Sequence, residues 1–288
     1  MVSLHIAGYY WLDWHVHPDV IVLIAGMLLA YWYAVTAWRD RIPDAGRVSR
    51  KQISLYCSGV FVVYLAAGSP IHDISEQYLL SMHMTQHMLL TLVAPPLLLA
   101  GVPTWVYQAL LGGRVRPVAS VLLNPLLAIF LFNMVLVLTH LPHVVDYALR
   151  HHWFHFVVHV AIFTAALQMW WPVITRVPGL PQLSYPYQMA YLFVQSLVPS
   201  VIGSFITFSQ SPVYEFYAEA PRIWGLSPIQ DQQAAAFIMK VIGSLILWGF
   251  IGVAFFKWYA KEESEAKGLP WSEVEEELQQ MGLTTPRA

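Results

Sequence analysis

Seven stretches of this chain are apolar for long enough, or nearly so, to cross about 30 Å of hydrocarbon at about 1.5 Å of helical rise per residue. They run near Val20–Trp38, Ile53–Gly68, Leu79–Leu99, Val118–Thr139, His155–Ile174, Tyr187–Phe208 and Ala234–Trp258. The second is short and open to extension at either end. A backbone in lipid must satisfy its own hydrogen bonds, which makes the helix the natural element for such runs. The expected fold is all-α, a polytopic membrane bundle of about seven transmembrane helices. Charged residues make up only 11% of the chain, far below the roughly 25% of soluble domains. A net charge of −2 offers nothing to a nucleic acid.

Basic residues set the orientation, because they collect on the cytoplasmic side of membrane proteins. The loops after the first, third and fifth spans carry Arg39, Arg41, Arg47, Arg50, Lys51, Arg114, Arg116 and Arg176. The carboxyl tail adds Lys257, Lys261, Lys267 and Arg287, so these regions hold 12 of the 15 Lys and Arg residues. The alternate regions hold only Arg150 and Arg222, and Lys240 falls within a span. The expected topology places the amino terminus outside and the carboxyl terminus in the cytoplasm. No basic leader precedes Val20, so no cleavable signal peptide is expected.

On that topology all 12 histidines are external or lie in the outer half of the membrane. Imidazole rings suit either interface, yet the cytoplasmic boundary has none. His83 and His87 stand one turn apart in span three, and His155 and His159 repeat the spacing in span five. These two spans run in the same direction. His87 and His159 each fall about 12–14 Å along their helices, at about 1.5 Å per residue. Two chelating pairs at matching depth are expected to converge on one centre; the plain alternative is hydrogen bonding between helices. Positive partial charge at the helix amino ends disfavours imidazolium and keeps the rings neutral for ligation.

Such side chains are costly in a bilayer, and metal handling gives a reason for them. Imidazole with a nearby thioether suits copper, in either oxidation state, better than it suits oxygen-seeking cations. Met82, Met84 and Met88 flank the first pair. Methionine is also an ordinary filler between helices, the reading taken for Met82 and Met88, whereas Met84 is expected among the ligands. Zinc, and haem held by two histidines, are the alternatives. Asp231 stands at the outer entrance of span seven and is expected to serve as a ligand, as an amino-terminal cap, or as both. Lys240 lies deeper in the same span and is not a ligand, because its charge would repel the metal.

On these boundaries all 17 carboxylates lie outside the spans, which leaves no buried acidic relay for a proton pump or an ion-coupled carrier. The single cysteine, Cys57, can form no internal disulfide or thiolate clip, and it is read as structural. Nucleotide-binding and serine-hydrolase signatures are missing, so no enzymatic activity is expected. Pro95-Pro96 interrupts span three, and Pro199 with Gly203 interrupts span six. Residues 1–260 are expected to form one transmembrane domain and 261–288 an acidic cytoplasmic tail. In that tail Ser272-Glu273-Val274-Glu275 reads as a capping box opening a short helix through Met281.

The run His83-Met84-Thr85-Gln86-His87-Met88-Leu89-Leu90, followed by Ala94-Pro95-Pro96-Leu97-Leu98-Leu99, resembles the hallmark of the many-helix CtaG family of cytochrome c oxidase assembly factors. The stretch from His155 to His159, with Gln168-Met169-Trp170-Trp171-Pro172-Val173-Ile174, is similar to that family's fifth span. Asp231-Gln232-Gln233-Ala234, leading to Ile238-Met239, is similar to its last. The likeness covers most of residues 20 to 258. It implies a multi-pass protein of the bacterial plasma membrane, needed to form active haem–copper oxidase through copper supply. Its partners would be oxidase subunits, copper chaperones and the lipid bilayer. The competing readings are a bis-histidine haem oxidoreductase, a copper permease and a metal-free scaffold.

Overall fold

The computed structural model describes residues 15–43 and 45–268, with Leu278 and Met281 beyond them. The capping box expected at Ser272–Glu275 lies outside the described residues. All regular structure among the described residues is helical, with no strand among them. Six continuous helical segments are long and apolar enough to cross a membrane, and a bent pair makes a seventh.

The first span is α1 (Pro18–Tyr33), carried on to Arg41 by a π turn at Ala34–Trp38 and a short 3-10 turn. The second joins α2 (Arg50–Gly68) to α3 (Pro70–Gln77), extending the expected run Ile53–Gly68 at both ends. Ser49 and Gln52 close a capping box at the start of α2, which satisfies two otherwise unpaired amides. The third span is α4 (Leu80–Met88), a π turn at Leu89–Val93, and α5 (Ala94–Gly101). Pro95 and Pro96 fall in the first turn of α5, where a missing amide hydrogen costs little. After α6 (Thr104–Leu111) comes the bent pair, α7 (Arg116–Leu122) and α8 (Pro125–Thr139).

That bend corrects the expected straight span Val118–Thr139. The axis turns by 58° between α7 and α8. Asn124 ends one helix and starts the next, its side-chain oxygen accepting from Leu126 N at 2.9 Å and Leu127 N at 3.4 Å. Pro125 then occupies the first helical position, where its fixed φ suits a helix start.

The remaining elements are α9 (Pro142–Arg150), α10 (His152–Ile174), α11 (Tyr185–Phe208), α12 (Glu215–Glu219), α13 (Pro228–Phe237) and α14 (Gly243–Gly268). Segments α10 and α11 are the fifth and sixth spans, and α13 and α14 form the last across a π turn at Ile238–Ile242. The third span is the axis of the bundle: in its apolar stretch 67% of the residues are buried, against 6% in that of the first.

The bundle is apolar on both its inside and its outside. Leu126, Phe205 and Phe256 are at least 70% exposed, as lipid-facing positions should be, while Gln86, Gln195, Asp231 and Gln232 are all but inaccessible. Buried polar groups in this setting need partners. Trp170 Nε1 donates to the Thr91 carbonyl at 2.8 Å, and Asn133 Nδ2 to Gln195 Oε1 at 2.7 Å. Lys240 Nζ, half-buried in the last span, donates to Ser204 Oγ at 2.9 Å. A Cβ on Gly101 would come within 2.5 Å of the Tyr56 backbone nitrogen, so glycine is what lets α5 meet α2 there. Tyr31 completes that junction by donating to the Gly101 carbonyl at 3.0 Å.

The expectation that every carboxylate stays outside the spans does not hold. Asp73 and Glu76 ride on α3 within the second span, and Asp231 is 1% exposed within the last. Each is drawn inward by donors that the apolar pattern does not reveal.

Candidate metal centre

Helical periodicity puts His83 and His87 on one face of α4, and His155 and His159 on one face of α10. The bundle turns these two faces toward each other. One ring nitrogen from each of His83, His155 and His159 lies within 4.8 Å of the other two. The His83 and His155 rings stack at 5.6 Å, and His83 and His159 stand 6.1 Å apart. His87 adjoins the trio one step along α4, with its ring 4.3 Å from His83 and 5.4 Å from His159. The four histidines named from spacing are therefore gathered in one place, three of them close enough to share an ion.

Their hydrogen bonding is incomplete in a specific way. Buried polar atoms almost always have partners. Yet His83 Nδ1, both ring nitrogens of His87, His155 Nε2 and His159 Nε2 are buried without one among the described residues. These four neutral rings can offer one lone pair each, and among the described residues nothing receives them. A metal ion is the species that uses several neutral imidazole lone pairs at once.

A carboxylate fixes which nitrogen of His155 faces the cluster. His155 Nδ1 lies 2.8 Å from Glu76 Oε1. A carboxylate accepts, so the proton sits on Nδ1 and the lone pair on the buried Nε2. A carboxylate behind a ligating histidine sets its tautomer and raises its basicity in just this way. His72 Nε2 meets the same Glu76 oxygen at 3.3 Å, and Gln86 Nε2 reaches His72 Nδ1 at 3.0 Å and the Ala66 carbonyl at 2.9 Å. Ser75 Oγ stands 3.0 Å from the Gln86 carbonyl oxygen. These contacts form one consistent chain of donors and acceptors. His140 Nδ1 likewise donates to the Leu136 carbonyl at 2.7 Å, and its ring stands edge-on to His87 at 5.8 Å.

Tyr217 of α12 closes the cluster from the loop side, its ring 6.1 Å from that of His83. Its hydroxyl donates to the Ser75 carbonyl at 2.6 Å. Burial pushes this phenol well above its ordinary value, so it remains a proton donor and not a phenolate ligand.

Two residues expected in the ligand set have other occupations. Met84 is buried within the main apolar cluster, together with Leu80 and Met239. Asp231 Oδ2 accepts from Leu80 N at 2.7 Å, and Oδ1 accepts from Ser81 N at 3.0 Å and Ser81 Oγ at 2.5 Å. It is a cap, but for a different helix from its own: α13 is capped by Ser227 with Gln230, whereas Leu79 offers α4 no side-chain cap. The Asp231 carboxylate fills that place, where negative charge also suits the helix dipole. It fixes the amino end of α4 just ahead of His83.

Sequence reasoning missed Glu76, Gln86, His140 and Tyr217. A faint signal exists for the first, since His72 and Glu76 are one turn apart on α3. Nothing local marks the others.

No solved structure matches this chain. Uncharacterized proteins of Mycobacterium bovis and Mycobacterium tuberculosis are each 26% identical over 233 residues, covering 74% of this chain. The chain spans only about a third, 35%, of the length of either relative. A family model matches residues 29–261, which takes in the helices bearing all four clustered histidines and the Asp231 cap, and the chain belongs to the cytochrome c oxidase caa3 assembly factor family, Caa3_CtaG.

Proposed function

We propose that this protein is a non-enzymatic assembly factor of the bacterial plasma membrane that takes up copper at the outer face and passes it to a nascent subunit of a haem–copper oxidase. The observation that supports this most is the set of five buried, unpartnered imidazole nitrogens shared by His83, His87, His155 and His159. In this reading His83, His155 and His159 hold the ion, His87 and His140 line its inner side, and Glu76 orients His155. Copper is cargo here. A site of neutral imidazoles binds copper well and releases it by ligand exchange, as a delivery protein requires.

Ring packing favours a single ion over haem. A porphyrin between two axial histidines needs an open slot, whereas these rings lie 4.2–6.1 Å apart and are largely in mutual contact. Metal analysis and an absorption spectrum of the purified protein test the reading together. About one copper per chain, without haem bands, is the expected result. Haem absorption, or a protein that takes up no copper, would reject it.

The proposal also needs the histidines outside. Twelve basic residues in the loops and tail assigned to the cytoplasm motivate that orientation. A reporter fused after Ala288 is expected to be active only in the cytoplasm, and a tag at the amino terminus to be labelled from outside. The reverse pattern would turn the centre toward the cytoplasm and remove the outer-face delivery role.

A further inference from the structure

A second group of imidazoles and carboxylates leads from the surface to the buried centre. His15, just ahead of α1, has 49% of its side chain exposed. Its backbone nitrogen donates to Asp73 Oδ2 at 3.1 Å, and its ring lies 3.5 Å from the same oxygen. His17, with 20% exposed, donates from Nε2 to Asp73 Oδ1 at 3.1 Å. The His17 ring meets the His72 ring edge-on at 4.7 Å, and His72 is only 11% exposed. His72 and His155 then share Glu76 Oε1, and the His155 side chain, 4% exposed, faces the centre. Exposure falls at every imidazole along this chain, and a carboxylate stands beside each handover.

We infer that His15, His17, Asp73, His72 and Glu76 form the entry route by which a copper ion reaches His155, His83 and His159. This rests on the copper reading above. His17 keeps its proton on Nε2 and donates it in a hydrogen bond to Asp73, so the neutral ring presents its Nδ1 lone pair to an incoming ion. At His72 the ion displaces the Gln86 amide from Nδ1, and that amide keeps its bond to the Ala66 carbonyl. At every other handover one copper–ligand bond forms as another breaks; the oxidation state is unchanged and each imidazole keeps its one proton. The two carboxylates offset the ion's charge where it leaves water, which lowers the cost of entering a low-dielectric interior. A cation path of this kind raises the rate of capture without adding a ligand to the final site.

The route makes a kinetic prediction separable from affinity. Purified full-length protein in detergent is mixed anaerobically with Cu(I) held by bicinchoninate, and loading is followed by loss of the chelator's colour. His17→Gln keeps a donor for Asp73 but lacks an imidazole; it is expected to load at least about 10-fold more slowly, the lower end of what charged, guiding clefts contribute to capture. Its final occupancy is expected to match that of the unaltered protein. His17→Met, which restores a copper ligand and not the hydrogen bond, is expected to recover most of the rate. His143→Ala, removing an exposed histidine away from this chain, is expected to change nothing. If His17→Gln loads normally and His17→Met is slow, His17 only tethers the start of α1 and the route is wrong. Equal loading rates in all variants overturn it too, as does a lower final occupancy in His17→Gln. Failure of the unaltered protein to take any copper defeats the copper reading itself, an outcome distinct from failure of the route alone.

Discussion

Replacing His155 or His159 with alanine is expected to lower copper affinity by more than about 100-fold, beyond the 10–100-fold that loss of an outer-shell partner costs a metal site. Glu76→Gln is expected to fall within that smaller range, because Gln still accepts one hydrogen bond from His155 while losing the charge that strengthens it. The order is the informative part. A centre built from His83, His155 and His159 with Glu76 behind it demands that the histidine variants be worse than the glutamate variant. Competition with a chelator of known affinity measures all three. Oxidase activity in cells carrying each variant should follow the same order while the amount of protein in the membrane stays near normal. Normal affinity in His155→Ala would remove the trio from consideration, and loss of the protein from the membrane would point to packing.

The second large effect concerns stability. Asp231→Ala leaves Leu80 N, Ser81 N and the Ser81 hydroxyl buried without their acceptor. Each unsatisfied buried group costs about 1–3 kcal/mol, so a loss of about 3 kcal/mol or more is expected. A marked fall in the thermal midpoint of the detergent-solubilised protein checks this, with weaker copper binding alongside because the start of α4 carries His83. Asp231→Asn retains one acceptor oxygen but places an amide against a donor, and an intermediate midpoint is expected. If Asp231→Ala melts normally yet binds no copper, the carboxylate is a ligand after all and the cap is incidental.

The clustered imidazoles were legible because helical periodicity is local. His83 with His87, and His155 with His159, each declare a shared face through their spacing alone, and the surrounding apolar runs declare the helices. Glu76 was not legible, because it follows the apolar run that defines its span. Its approach to His155 depends on Ser69 and Pro70 restarting the chain as α3. The Asp231 cap joins residues 151 positions apart, a distance over which no periodicity carries information. The break at Asn124 is a different kind of miss. Asn before Pro is a local helix-start signal, but apolar residues continue on both sides of it, and the hydrophobic pattern outweighed the punctuation.

Chain synthesis proceeds from the amino end, and earlier segments fold before later ones exist. The helix bearing His83 and His87 leaves the ribosome long before Asp231, so its first amides have no acceptor from this carboxylate until the last span arrives. His155 and His159 are in place by then, but the amino end of α4 is not yet pinned. The segment bearing Asp231 thus acts as a completion signal: the start of α4, and His83 with it, is pinned only once that segment is inserted. A chain stalled before Asp231 keeps the four histidines without the contact that pins the start of α4.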